Sequence, residues 1–153
     1  MTRVHRAPRS LREGERGTEM SRSGYSEEGE NIWLWRGAVQ QAASGKRGQQ
    51  FFKDLVAALD AMPVKELIRE ALIDGDGGVC AMGSLGLYRK VDMGEIDVNE
   101  PREVGKAFNI ASALAQEVAW MNDERYKTAT PAELWSKMRA WAEKQIGKPN
   151  LIY

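Results

Sequence analysis

Apolar residues recur along this chain with a helical rather than an alternating period. Ile32, Trp35, Val39 and Ala42 mark one face of a first helix, with Ser26 as its N-cap and Glu27, Glu28 and Glu30 suiting the positive end of a helix. Gly45-Lys46-Arg47-Gly48 stops it, and a second helix follows with Phe51, Phe52, Leu55, Val56, Leu59 and Met62 as its stripe. Pro63 ends that helix and opens a third, in which Leu67, Ile68 and Leu72 face inward before Asp74-Gly75-Asp76-Gly77-Gly78 breaks the chain. Val79 to Tyr88 reads as a tightly packed short helix, with a short strand over Val79 to Met82 as the alternative. Asp97 to Glu100 opens a helix with Val104, Ala107 and Phe108 on one face; Asn109 breaks it, and Ile110 to Met121 resumes. The last helix has Thr130, Pro131 and Glu133 as a capping box, then a broad stripe of Leu134, Trp135, Met138, Trp141, Ala142 and Ile146, and is closed by Gly147 and Pro149. Glu133 with Lys137, and Arg139 with Glu143, are expected as ion pairs on its wet side.

This pattern predicts an all-α, or predominantly α, domain: a compact bundle of about six short helices over residues 25–147, including a helix-turn-helix-like hairpin at 101–121. No internal repeat interrupts it. Residues 1–24 are expected as a disordered N-terminal extension, and 148–153 as a tail.

Composition narrows the class. A chain of 153 residues can bury a core without covalent help, and one Cys and one His allow neither an internal disulfide nor a Cys/His zinc site, so no metal or cofactor is expected. No apolar run approaches a membrane span, and no apolar stretch follows the basic start as a signal peptide requires, which makes the cytoplasm the default location. The balance of 22 basic against 22 acidic residues conceals an asymmetry. Residues 1–19 hold five Arg and three Glu, whereas the chain from Met20 holds 17 basic and 19 acidic residues. Glu15-Arg16-Gly17 is codable by a purine-rich, ribosome-binding-like stretch, so Met20 is the expected natural start. An arginine arm for nucleic acid is the alternative.

Candidate chemistry is sparse. Pro101 to Trp120 has the contacts of a helix-turn-helix: small Gly105, Asn109 in the turn, and apolar Val104, Phe108, Ile110 and Val118. Its second helix is expected to present Ala111, Ser112, Ala113, Gln116, Glu117 and Trp120, without Arg or Lys, and Glu100 to Glu124 carries two basic and five acidic residues. The GKRG loop is similar to the phosphate-clamping GXXG of KH domains and makes Lys46, Arg47 and Lys53 the candidate nucleic-acid or phosphate residues. A helix cap followed by solvated charges is the plainer reading. Asp74 and Asp76 begin like a calcium loop, but its glycine and glutamate positions are Val79 and Leu85, so the pattern fails. Cys80 lacks a histidine base outside the N-terminal tail and reads as a small buried residue; a pocket joining it to Asn122 and Asp123 is the feature an enzyme requires. Of five Trp, Trp33 alone has small or polar helical neighbours, which makes Trp33, Arg36 and Gln40 the candidate protein-binding residues, with packing of Trp33 beneath the next helix or the N-terminal segment as the plainer reading.

From Met20 onward the chain resembles a family of small proteins encoded by tailed bacteriophages and prophages. The resemblance rests on SRSGYS (21–26), WRGAV (35–39), GKRGQ (45–49), LVAALDAMP (55–63), VCAMG (79–83), WMNDE (120–124) and RAW (139–141), and spans essentially residues 20–146. It brings no assigned reaction, ligand or site residue. What it implies is a phage-derived accessory protein acting inside a bacterial cell. Joined to the missing catalytic sets and Trp33, this gives the leading expectation: non-enzymatic binding of a host or phage protein, with inhibition of a defence system such as CRISPR as its specific form. A small nucleic-acid-binding regulator is the alternative.

Overall fold

The computed structural model describes residues 22–25 and 32–147, with side chains from residue 35 in the first helix. Among these residues there are six α-helices and no strand: α1 (Ile32–Ser44), α2 (Lys46–Ala61), α3 (Ala81–Arg89), α4 (Pro101–Phe108), α5 (Ser112–Trp120) and α6 (Pro131–Gln145). A single 3-10 turn (Met93–Glu95) precedes α4, and a π-helical turn (Met121–Arg125) continues α5. No helix of the described residues is long and apolar enough to cross a membrane.

Two helices form the middle of the bundle. α2 places Phe51, Phe52, Leu55, Ala58 and Leu59 in the core and packs on α1, α3 and α6. α5 packs on α1 and α4, and none of its residues is fully exposed. Between them lie Val39, Leu85, Phe108, Leu114, Val118, Leu134, Met138 and Trp141, all buried. Phe52 meets Phe51 and Trp141 edge-on, with ring centroids 5.3 and 5.4 Å apart.

Local caps set several boundaries. Asn109 ends α4 in the left-handed region (φ 59°, ψ 47°), where its backbone N–H reaches back to Gly105 O. A Cβ on Gly105 would lie 2.6 Å from Ile110 O, so the hairpin closes only around a glycine. Thr130 Oγ1 accepts from Glu133 N at 3.1 Å, and Glu133 Oε1 accepts from Thr130 N at 2.9 Å, completing the capping box of α6. Glu133 is thus occupied by the cap, and no ion pair joins it to Lys137. Arg139 does pair with Glu143 (3.1 Å) and also clamps Asp60.

Other expectations are corrected. The helix expected after Pro63 is absent: residues 62–72 are irregular, although Leu67 and Leu72 are buried as expected. Their backbone is claimed from far along the chain, with Leu67 N donating to Pro131 O, Ile68 N to Val79 O, and Glu70 N to Asp123 Oδ1. Val79 makes an isolated bridge to Ile73, Cys80 is the N-cap, and the helix runs from Ala81 to Arg89, so the segment is the short helix expected and the strand alternative over Val79 to Met82 does not form. The domain does not start at residue 25. Arg22 and Ser23 are buried in the body, and the packed unit reaches back at least to Arg22. The expectations for residues 1–21, including the start at Met20, for the cap at Ser26 and for 148–153 lie outside the described residues.

Candidate functional site

Glu117 sits in the middle of α5 with no solvent exposure. A lone buried carboxylate is costly, and here it is neutralised: Arg36 of α1 donates to Oε1 at 2.9 Å and to Oε2 at 3.3 Å, while the Tyr25 hydroxyl donates to Oε1 at 2.5 Å. Burial and the Glu117 charge hold the Tyr25 proton well above the ordinary phenol range. The Tyr25 ring stands edge-on to Trp35, 4.9 Å away. Arg36 therefore serves as the counter-ion of Glu117 while about a third of its side chain stays exposed, and Gln40, one turn on, is partly buried. The side chain of Trp33 lies outside the described residues. Of the proposed trio, the structure therefore describes the side chains of Arg36 and Gln40 alone, both partly buried.

Three residues before Tyr25, Arg22 is gripped from the other end of the chain. Its Nε and Nη2 donate to Asp123 Oδ2 and Oδ1 at 2.5 and 2.8 Å, and Nη1 lies 3.7 Å from Cys80 Sγ. Burial opposes the charge of Arg22, but the Cys80 sulfur and the Asp123 carboxylate more than offset it, so its pKa stands above the usual arginine value. Ser23 Oγ donates to Glu124 Oε2 at 2.9 Å. Residues 22–25 thus form a clasp held by Glu117, Asp123 and Glu124.

The π-helical turn puts Asn122 and Asp123 in the buried interior, a local irregularity of the kind often found at functional positions. Asn122 accepts from Ala81 N at 3.0 Å and donates to Ile68 O at 2.9 Å. Cys80 caps α3, its sulfur accepting from Gly83 N at 3.3 Å. The structure does join Cys80, Asn122 and Asp123, the juxtaposition an enzyme reading asks for, but Arg22 fills the space between them. The adjoining cavity, lined by Arg22, Gln116, Asn122 and apolar side chains, measures about 20 Å³, room for roughly one water. Sequence reasoning missed Arg22 and Glu117: one fell in the expected tail, the other on an expected wet face.

Lys46, Arg47 and Lys53 are all exposed, but not on a loop. Gly45 alone separates α1 from α2; Lys46 and Arg47 are the first turn of α2, and Gly48 lies inside it, where a Cβ would fall 2.0 Å from Ala42 O. The clamp-like GKRG loop does not form, because its second glycine serves the crossing of α1 and α2. On α5, Glu117, expected on the presented face, points inward instead, while Ser112, Ala113, Gln116 and Trp120 are partly exposed. Among the described residues no group of three or more His, Cys, Asp or Glu is placed to hold a metal ion. Four large apolar side chains stand exposed among the described residues: Val64, Ile73, Leu87 and Tyr88. Comparison with protein-family models, curated proteins and solved structures finds no match for the chain.

Proposed function

We propose that the chain is a phage- or prophage-derived accessory protein that works without catalysis, by binding a host or phage protein in the bacterial cytoplasm, with restraint of a defence system such as CRISPR as its specific form. The observation that carries the reading is the pair Leu87 and Tyr88, 54% and 48% exposed on the last turn of α3. Residues 81–86 of the same helix are all buried, so the pair is presented from a rigid base. Adjoining apolar and aromatic side chains on a fixed backbone lose little entropy on docking and make effective anchors. The phage-family resemblance of residues 20–146 supports the same reading.

The test is capture from bacterial lysate with the wild-type chain and with the Leu87→Ala/Tyr88→Ala double variant. A specific protein retained by the wild type is expected to be lost from the double variant, with affinity reduced at least about tenfold for two anchor residues. Equal retention by both chains rejects Leu87 and Tyr88 as the contact. Retention of no protein by the folded wild type rejects the reading itself.

A further inference from the structure

Residues 22–25 lie against one strip of the bundle as a peptide lies in a receptor. α5 and the π-helical turn supply every carboxylate they meet: Arg22 forks onto Asp123, Ser23 donates to Glu124 and Tyr25 donates to Glu117. The Tyr25 ring is flanked by Trp35 at 4.9 Å and by Trp120 at 6.1 Å. Gly24 has φ 76°, a backbone region that favours glycine. Four consecutive positions are thus read one by one, as a guanidinium, a hydroxyl, a glycine and a phenol. The segment is also separable from its seat. Among the described residues, every hydrogen bond from residues 22–25 to the helices is made by a side chain, and Tyr25 N bonds within the segment, to Ser23 Oγ at 3.1 Å. The seat, in turn, is held without them. Asp123 Oδ1 also accepts from Glu70 N at 3.0 Å and from Asn122 Nδ2 at 2.9 Å, and Glu117 is also bonded by Arg36. Asp123 Oδ2 is bonded, among the described residues, by Arg22 alone. Emptying the seat therefore leaves a fixed, buried acceptor, which a second guanidinium satisfies with the same geometry.

We propose that the strip formed by α5 and the π-helical turn is a peptide-binding slot, filled in this structure by the chain's own residues 22–25. A segment of the partner protein with the same chemistry, an arginine three residues before a tyrosine and a glycine just before that tyrosine, takes their place. The inference rests on the protein-binding reading and gives the partner's segment its chemistry. Charge complementarity selects that segment: Glu117, Asp123 and Glu124 outweigh the one bundle cation bonded to them, Arg36, so the slot is anionic. The covalent tether keeps residues 22–25 at a high effective concentration. A short peptide therefore competes poorly against the wild-type segment, and a whole partner displaces it through contacts made elsewhere.

The probe is a fluorescein-labelled peptide of about 12 residues built around Arg-Ser-Gly-Tyr, titrated by anisotropy against the full chain. The Arg22→Ala/Tyr25→Ala variant, whose own segment no longer competes, is expected to bind it saturably and about tenfold or more tighter than the wild type does. Peptides with alanine in place of the arginine or of the glycine are expected to bind this variant about tenfold or more weakly, and adding Asp123→Asn to the variant is expected to weaken the parent peptide likewise. Circular dichroism melts establish which variants fold. If the double variant does not, Tyr25→Phe carries the test, because it loosens the segment while Arg22 stays paired; it is expected to bind the peptide more tightly than the wild type. No saturable binding by a folded variant, equal binding of the arginine-free peptide, or equal affinity of wild type and loosened variant overturns the inference. Wild-type chains that associate in pairs, and separate on Arg22→Ala/Tyr25→Ala, also overturn it and assign the slot to a second copy. A lysate partner lost on Leu87→Ala/Tyr88→Ala but not displaced from the wild type by excess peptide overturns the slot alone and leaves the protein-binding reading intact.

Discussion

Glu117 shows where one residue's meaning depends on the whole. Its neighbours in sequence place it on a face that should be wet, yet it is buried under two donors from segments more than 80 residues away. Tyr25 is one of them, and its raised pKa makes a measurable difference. The folded state keeps the Tyr25 proton at pH values where an unfolded tyrosine, with its pKa near 10, has lost it. The folded chain then binds more protons than the unfolded one, so the stabilisation is complete below about pH 9 and is lost as pH rises beyond about 10. Urea unfolding at successive alkaline pH values should show wild-type stability falling more steeply than that of Tyr25→Phe, which lacks this proton. Parallel slopes would show that Tyr25 does not bond Glu117 in solution.

The elements most legible in the sequence are those fixed by short-range chemistry. Asn109 and Gly105 announce the α4–α5 hairpin, and Thr130, Pro131 and Glu133 announce the start of α6, because each works within one helical turn. Residues 63–72 carry a helical apolar spacing but form no helix, since Pro131, Val79 and Asp123 take their backbone N–H groups; nothing local records those partners. Gly48 is equally illegible: its sequence context is that of half a phosphate loop, and in the fold it is a contact point between α1 and α2. The candidate site divides in the same way. Cys80, Asn122 and Asp123 could be named together, but not the arginine that fills the space among them. The two close approaches make a direct comparison. Gly105→Ala and Gly48→Ala each place a methyl group against a backbone oxygen, 2.6 and 2.0 Å away before relaxation, and neither oxygen can turn aside as a side chain does. Both should destabilise by about 1–3 kcal/mol or more, with Gly48 the worse. Gly37, which has nothing within 4 Å of an added Cβ, is the control: Gly37→Ala in the helix interior should be neutral or slightly stabilising. Denaturant midpoints of the three variants decide it.

At the scale of the molecule, the clasp decides how the interior opens. Arg22 and Asp123 are 101 residues apart, and their ion pair closes the chain over Cys80, the single thiol. Cys80 is fully buried, so a thiol reagent reaches it only after something moves. Two routes exist: unfolding of the whole bundle, or lifting of residues 22–25 alone. The clasp is held by side chains rather than by secondary structure, and such segments open at lower free energy than a helical core. Labelling of wild-type Cys80 should therefore outpace global unfolding and respond weakly to low urea, because lifting the clasp exposes little surface. Arg22→Ala removes the side chain that covers the sulfur and should raise the labelling rate about tenfold or more, at a smaller fractional cost in global stability. Leu134→Ala supplies the contrast. It leaves a cavity in the core, which costs about 2–5 kcal/mol, but leaves the clasp in place, so it should speed labelling only through global unfolding, with the steep urea dependence of that route. If the Arg22→Ala and Leu134→Ala chains show the same steep dependence, the clasp opens only with the rest of the molecule, and residues 22–25 belong to the cooperative core.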